Sequence, residues 1–156
     1  MNSSRNYSIR PIDQQDFFWL KEYDCAPLNI ERDSIYLFFC VHFSNYSFIA
    51  VDVHNNPIGF LLGFLPANQS TAYVHFLFVH EKARGNGIGK ELMHHFIDAV
   101  RSVGGRQVTL YTIRAVSFYE SLGFVDKTDR FSKEVADYIT HAKGAVPMSL
   151  HLDGGA

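Results

Sequence analysis

The chain has 156 residues, of which 47% are hydrophobic and 19% charged, with a net charge of −2. This is globular rather than disordered usage, and it lacks the basic excess of a nucleic-acid-binding domain. The only cysteines, Cys25 and Cys40, cannot build a disulfide framework or a CxxC zinc or redox centre.

The length predicts one domain over residues 1–156. The polar start MNSSRNYSIRP has no apolar h-region, and no apolar run is long enough for a membrane span. The expectation is a cytoplasmic protein with no membrane partner. Aromatic residues make up 15% of the chain, from 14 Phe, 8 Tyr and 1 Trp, and their work needs explaining.

Tyr7 to Ile12 alternates polar and apolar residues, which predicts a strand, with Asp13 capping a helix behind it. Phe17, Leu20 and Tyr23 repeat at helical spacing over Asp16 to Asp24, and Pro27 ends the run. Ile30 to Phe43 is apolar throughout: Glu31 and Asp33 favour a helix, while YLFFCVHF also suits a strand. Ser47–Val53 and Ile58–Leu65 read as a hairpin around the turn His54-Asn55-Asn56-Pro57. AYVHFLFV, Ala72 to Val79, predicts a central strand buried on both faces. Ile88, Leu92, Phe96, Val100 and Val103, widened by Met93 and Ile97, form the apolar stripe of a long helix closed at Gly104-Gly105. A strand over Gln107–Thr112, a short helix over Ala115–Leu122 and a strand from Phe124 follow. Residues 126–143 are polar and unassigned, and Met148–Leu152 suits a last strand. Helices interleave with strands around one sheet, predicting an α/β or α+β fold.

The most informative stretch is VHEKARGNGIGKEL, Val79 to Leu92. A strand runs into a glycine loop that opens the amphipathic helix. Glycines at 85, 87 and 89 admit close backbone approach and positive φ. The first helical amides lack internal partners and carry partial positive charge, so the arrangement binds phosphate or pyrophosphate. Arg84 and Lys90 add full charges. A Walker A loop is excluded, because only three residues separate Gly85 from Gly89-Lys90 and Glu91 follows. A dinucleotide G-x-G-x-x-G is excluded, because its third glycine falls on Lys90.

Arg84-Gly85-Asn86-Gly87-Ile88-Gly89 resembles the R/Q-x-x-G-x-G/A signature of the GCN5-related N-acetyltransferase (GNAT) family. AVSFYESLGF, Ala115 to Phe124, is similar to that family's A-x-x-x-Y-x-x-x-G-F element, and the hairpin from His54 to Phe64 resembles its second and third strands. The resemblance implies a mixed, largely antiparallel sheet flanked by helices. It also implies acetyl-CoA as cofactor, with transfer of the acetyl group to a primary amine of a small molecule or peptide. Residues 84–89 with Lys90 are then the pyrophosphate loop. Leu77, Phe78 and Val79 hold the pantetheine arm, and Thr112 and Ser117 complete the cofactor contacts. Tyr119 is the acid toward the leaving thiolate, and a backbone N–H at Val79 or its neighbour stabilises the oxyanion.

Three departures from the family pattern stand out, one of them the polar stretch Asp126 to Lys143, longer than a simple strand connection. Many members carry Glu as base on the fourth strand, where this chain has His75, whose ordinary pKa near 6.5 suits that work. Thr112 stands where Asn is frequent. The resemblance also places the acceptor against the first two helices and the late strands. There Phe17, Phe18, Trp19, Tyr23, Tyr36 and Phe131, with Glu22, Asp24, Glu31 and Asp33, would suit a cationic amine. No His pair or carboxylate has ligand spacing, so no metal is expected. Homodimerisation is compatible with the family. The alternatives are an acetyl-CoA sensor without transfer activity and an unrelated phosphate-binding α/β domain.

Overall fold

The computed structural model describes residues 5–22 and 33–152. The expectations for Tyr23, Asp24, Cys25, Pro27, Ile30 and Glu31 lie outside the described residues. Strands β1 (Tyr7–Pro11), β2 (Phe48–Asp52), β3 (Pro57–Phe64), β4 (Thr71–Val79), β5 (Gln107–Thr112), β6 (Val125–Asp126) and β7 (Val146–His151) form a seven-stranded sheet in the order β1-β2-β3-β4-β5-β7-β6. The helices are α1 (Asp16–Glu22), α2 (Asp33–His42), α3 (Ile88–Ser102), α4 (Val116–Ser121) and α5 (Lys133–Asp137). Among the described registers β4–β5 is parallel and the others antiparallel. The mixed, largely antiparallel sheet flanked by helices is the architecture expected. Among the described residues no helix is long and apolar enough to cross a membrane.

The chain divides into two compact units. The first comprises Met1–Phe64 and Phe76–Ala99, the second Leu65–His75 and Val100–Ala156. In the first unit, the Asp13 carboxylate accepts from the amides of Gln15 and Asp16 at 2.7 and 3.3 Å and starts α1 as expected. The apolar run before Phe43 resolves as helix α2. Tyr36, Phe39 and Cys40 are buried while Leu37, Phe38 and Val41 stay exposed, which is the i, i+3, i+4 period of a helix. Ile12, Leu20 and Tyr36 pack with Phe39, Ile49 and Phe60 in one core cluster. The stripe of α3 is also as expected, with Ile88, Leu92, Met93, Phe96, Ile97 and Val100 buried. Val103 departs from it: it lies beyond the last helical turn and is 59% exposed.

The doubly buried strands are β2 and β3, not β4. Phe48–Val51 and Gly59–Gly63 are continuously buried. In β4 Ala72, Val74 and Phe78 are buried while Tyr73, His75 and Leu77 are half-buried, so this strand has one open face. Gly59 permits a close approach within the first unit: a Cβ there would meet the Phe78 carbonyl oxygen at 2.9 Å. Sequence reading also missed a half-buried ion pair. Arg10 Nη1 and Nη2 donate to the two Asp16 carboxylate oxygens at 2.8 Å each, and the Asp13 amide adds a third donor at 2.8 Å.

In the second unit β5, β7 and β6 pair antiparallel, and their inner face buries Val108, Leu110 and Met148. The unassigned stretch after β6 contains α5, whose start the Ser132 hydroxyl caps through the Val135 amide, and a π turn over Tyr138–Ala142.

Candidate functional site

In the first unit, β4 ends at Val79 and a 3-10 turn over Glu81–Ala83 leads into the glycine loop. Gly85 and Gly87 take φ of +85° and +78°, a backbone region that favours glycine, and a Cβ on either would meet nothing within 4 Å. Arg84, Gly85, Asn86, Gly87 and Lys90 are exposed, while Ile88 is buried and anchors the first turn of α3. The loop is braced from within. The Arg84 Nε donates to the Val79 carbonyl at 3.1 Å, its guanidinium lies 5.9 Å from the Phe78 ring, and the Asn86 side-chain Nδ2 donates to the Ala83 carbonyl at 3.0 Å. The α3 backbone ladder reaches back to the Gly87 carbonyl through the Glu91 amide at 3.0 Å. The amides of Ile88, Gly89 and Lys90 precede that bond and have no intrahelical acceptor. An exposed, glycine-lined helix entrance with two flanking cations can hold an anion.

The edge of β4 is set by one hydrogen bond. The His80 amide donates to the Ile58 carbonyl of β3 at 2.8 Å. Successive amides of a strand point to opposite edges, so the Val79 and Leu77 amides point away from β3.

In the second unit, the parallel β4–β5 register runs from Thr71↔Gln107 to Val74↔Leu110. Thr112 ends β5 buried, and its hydroxyl accepts from the Ala115 amide at 3.0 Å, which starts α4. Ser117 is exposed on α4. Tyr119 is buried on the same helix between the edges of Phe118 and Phe124, with ring centroids at 5.0 and 5.5 Å. Burial pushes its phenol above the ordinary tyrosine range, so it is protonated at neutral pH. His75 is half-buried on the open face of β4 with its ring 5.8 Å from Tyr73.

The expected aromatic acceptor wall divides differently. Tyr36 is buried in the core of the first unit, and Phe17 and Trp19 pack against that core, so these rings serve packing. Phe18 is exposed. Phe131 belongs to the second unit, half-buried against Tyr111 at 6.5 Å. Among the described residues no three His, Cys, Asp or Glu side chains gather as a metal site.

Comparison with known proteins adds a family and a fold. A family model described as acetyltransferase (GNAT) family matches residues 7–124. The L-2,4-diaminobutyric acid acetyltransferase of Bordetella parapertussis (strain 12822) is 25% identical over 99 residues, which is 62% of this chain and 53% of that protein. The chain thus spans about half the length of that curated relative. Ard1 from Thermoplasma volcanium shares the fold at a TM-score of 0.76 and 18% identity, covering 94% of this chain and 98% of that one. The diaminobutyrate acetyltransferase EctA from Paenibacillus lautus, solved with L-2,4-diaminobutyric acid and coenzyme A, gives 0.68 and 16% over 96% of each chain. N-acetylglutamate synthase from Neisseria gonorrhoeae, solved with coenzyme A and N-acetyl-glutamate, gives 0.71 and 20%, over 94% of this chain and 35% of that one.

Proposed function

This chain belongs to the acetyltransferase (GNAT) family, and from that premise we propose that it is an acetyl-CoA-dependent N-acetyltransferase acting on a primary amine of a small molecule or peptide. The observation that carries the reading is the exposed loop at Gly85 and Gly87, two positive-φ glycines with open space where a Cβ would stand, at the entrance of α3. A pyrophosphate would have room there and would meet the amides of residues 87–90, with Arg84 and Lys90 beside it. The β4 edge at Leu77 and Val79 would hydrogen-bond an amide-bearing arm, with Phe78, Thr112 and Ser117 as further cofactor contacts.

When bound, acetyl-CoA supplies an activated acyl carbon and a thiolate leaving group. The residues of this chain then do three things. His75 would take one proton from the acceptor's ammonium, directly or through water, so that the neutral amine is the attacking species, and the second amine proton, lost as the amide forms, would pass through solvent to the departing thiolate. The Val79 amide donates to the acyl oxygen as charge develops there. The His80 amide, already committed to Ile58, is not available for that role. Tyr119 donates a hydrogen bond to the leaving sulfur. The burial that keeps this phenol protonated also penalises its ionised form, so its contribution is hydrogen-bond stabilisation of the thiolate more than outright proton transfer.

The test is calorimetry with acetyl-CoA together with a thiol-release assay on mixed primary amines. Binding and amine-dependent release are expected. Gly87→Ala is expected to weaken acetyl-CoA binding about tenfold, because alanine is strained at this φ and its methyl group takes up the open space a pyrophosphate would use. Absence of binding refutes the family cofactor for this chain. Binding without release under any amine replaces the transferase by a sensor.

A further inference from the structure

The open sheet face of the second unit carries a continuous row of aromatic rings. Alternate strand residues share a face, so Tyr73 and His75 of β4 stand together. The register Tyr73↔Thr109 puts Tyr111 of β5 on that face as well. The ring of His75 lies 5.8 Å from Tyr73, Tyr73 lies 6.4 Å from Tyr111, and Tyr111 lies 6.5 Å from Phe131. Phe131 comes from the segment between β6 and β7. The opposite face, with Val74, Val108 and Leu110, is buried, whereas Tyr111 is 47% exposed and the other three rings are half-buried.

A sheet face open to water ordinarily carries charged and polar residues. Here the face-sharing positions of β4 and β5 are Thr71, Tyr73, His75, Gln107, Thr109 and Tyr111, none of them Asp, Glu, Lys or Arg. We infer that this row seats the substituent of the acceptor, and that the acceptor is a primary amine bearing an aromatic group rather than an amino acid with a carboxylate beside the reacting nitrogen. The inference rests on the transferase reading and deepens it. Ring edges and faces at these spacings accept another ring offset-stacked or edge-on, and they attract the ammonium of the unreacted amine. The row begins at His75, the proposed base, so a substituent lying along it presents its nitrogen there. A carboxylate on the same face meets no Lys or Arg on either strand, so the neutral hydroxyls of Tyr73, Thr109 and Tyr111 would have to offset its hydration without a full opposite charge. Arg114 and Arg130, in the flanking loops, are exposed to water.

The experiment titrates the protein loaded with coenzyme A with 2-phenylethylamine, n-butylamine and L-2,4-diaminobutyrate by calorimetry, with thiol release from acetyl-CoA measured in parallel. Phenylethylamine is expected to bind at least tenfold tighter than diaminobutyrate. Tyr111→Ala and Phe131→Ala are each expected to weaken phenylethylamine about tenfold and butylamine less than threefold, with coenzyme A affinity retained. Tyr111→Phe is expected to keep most of the phenylethylamine affinity. Tighter or equal binding of diaminobutyrate overturns the inference, as do alanine variants that weaken all amines equally. Phenylethylamine binding that is lost in Tyr111→Ala, but without thiol release, supports the row and refutes the transferase reading. Release with diaminobutyrate and no phenylethylamine binding does the reverse.

Discussion

The aromatic residues do different work in the two units. In the first, Phe60 is fully buried, with Trp19 edge-on at 5.6 Å, Phe76 stacked at 5.5 Å and Phe78 at 5.8 Å. Each ring fills space that another ring bounds. In the second, the row from His75 to Phe131 is strung along one sheet face at 5.8–6.5 Å, with Tyr111 open to water. Composition registers both as aromatic excess, but only the first is required to close a core. The second leaves part of the Tyr111 ring open to water, on a face where β4 and β5 carry no Asp, Glu, Lys or Arg, and the acceptor proposal rests on that surface.

The strongest way to break this contrast is to truncate one ring from each region. Phe60→Ala removes a fully buried ring and leaves a cavity, so it is expected to destabilise by about 4 kcal/mol and to lower Tm by about 10 °C. Tyr111→Ala is expected to cost no more than about 1 kcal/mol, since nearly half of the residue faces solvent. Denaturant melts of the two variants decide the matter. Comparable losses would make the second row a structural element like the first.

A middle-sized effect tests whether the first unit is held by packing alone. Asp16 is buried and receives three hydrogen bonds, two from Arg10 and one from the Asp13 amide. Removing one partner of a fully buried pair costs about 3–5 kcal/mol. The Arg10 side chain is 38% exposed and rehydrates, so Asp16→Ala is expected to cost about 2 kcal/mol. A double-mutant cycle with Arg10→Met should return a coupling of about 1 kcal/mol or more. A coupling near zero would leave the apolar cluster alone responsible for the docking of α1.

What could be read in advance follows the same division. Helix α3 was legible because Ile88, Leu92, Phe96 and Val100 repeat at 3.6 residues among polar neighbours. The loop before it was legible because positive φ at Gly85 and Gly87 demands glycine. Helix α2 was not, since YLFFCVHF is apolar at nearly every position and hides its period. Only packing shows that Tyr36, Phe39 and Cys40 point inward. The expected acceptor wall divided on the same ground, with Tyr36 in the core and Phe18 exposed: near α1 and α2, aromatic composition does not tell a core ring from an exposed one. Of the candidate site, the glycine loop and Tyr119 carried a local motif. The Tyr73–Tyr111–Phe131 row did not, because it depends on a parallel β4–β5 register between residues 36 apart and on a polar segment whose fold has no periodic pattern.

The smallest effect separates the two units by pH. Cys40 in the first unit has its thiol pushed up to about 12, chiefly by burial and further by the charges of Asp16 and Asp13. Tyr119 in the second has its phenol raised by burial alone. In each case the unfolded chain releases its proton first, near 9 for the thiol and near 10 for the phenol. The folded state therefore binds more protons across the interval, and stability falls as pH rises. The contribution is fully present below pH 9 for Cys40, is lost between about 9 and 12, and for Tyr119 starts to be lost only above 10. Each fully linked group has a slope of about 1.4 kcal/mol per pH unit. Tyr7, raised by burial and by Glu91, adds to the alkaline limb in the wild type and in both variants alike. Cys40→Ser, measured by urea unfolding at successive pH values, is expected to flatten the decline from pH 9 to 10, and Tyr119→Phe to flatten it only above 10. The slopes matter here, not the offsets, because either substitution also shifts the baseline. If Cys40→Ser runs parallel to the wild type from pH 9 upward, its thiol is in contact with water. The first unit would then be less tightly closed than its interlocking rings require.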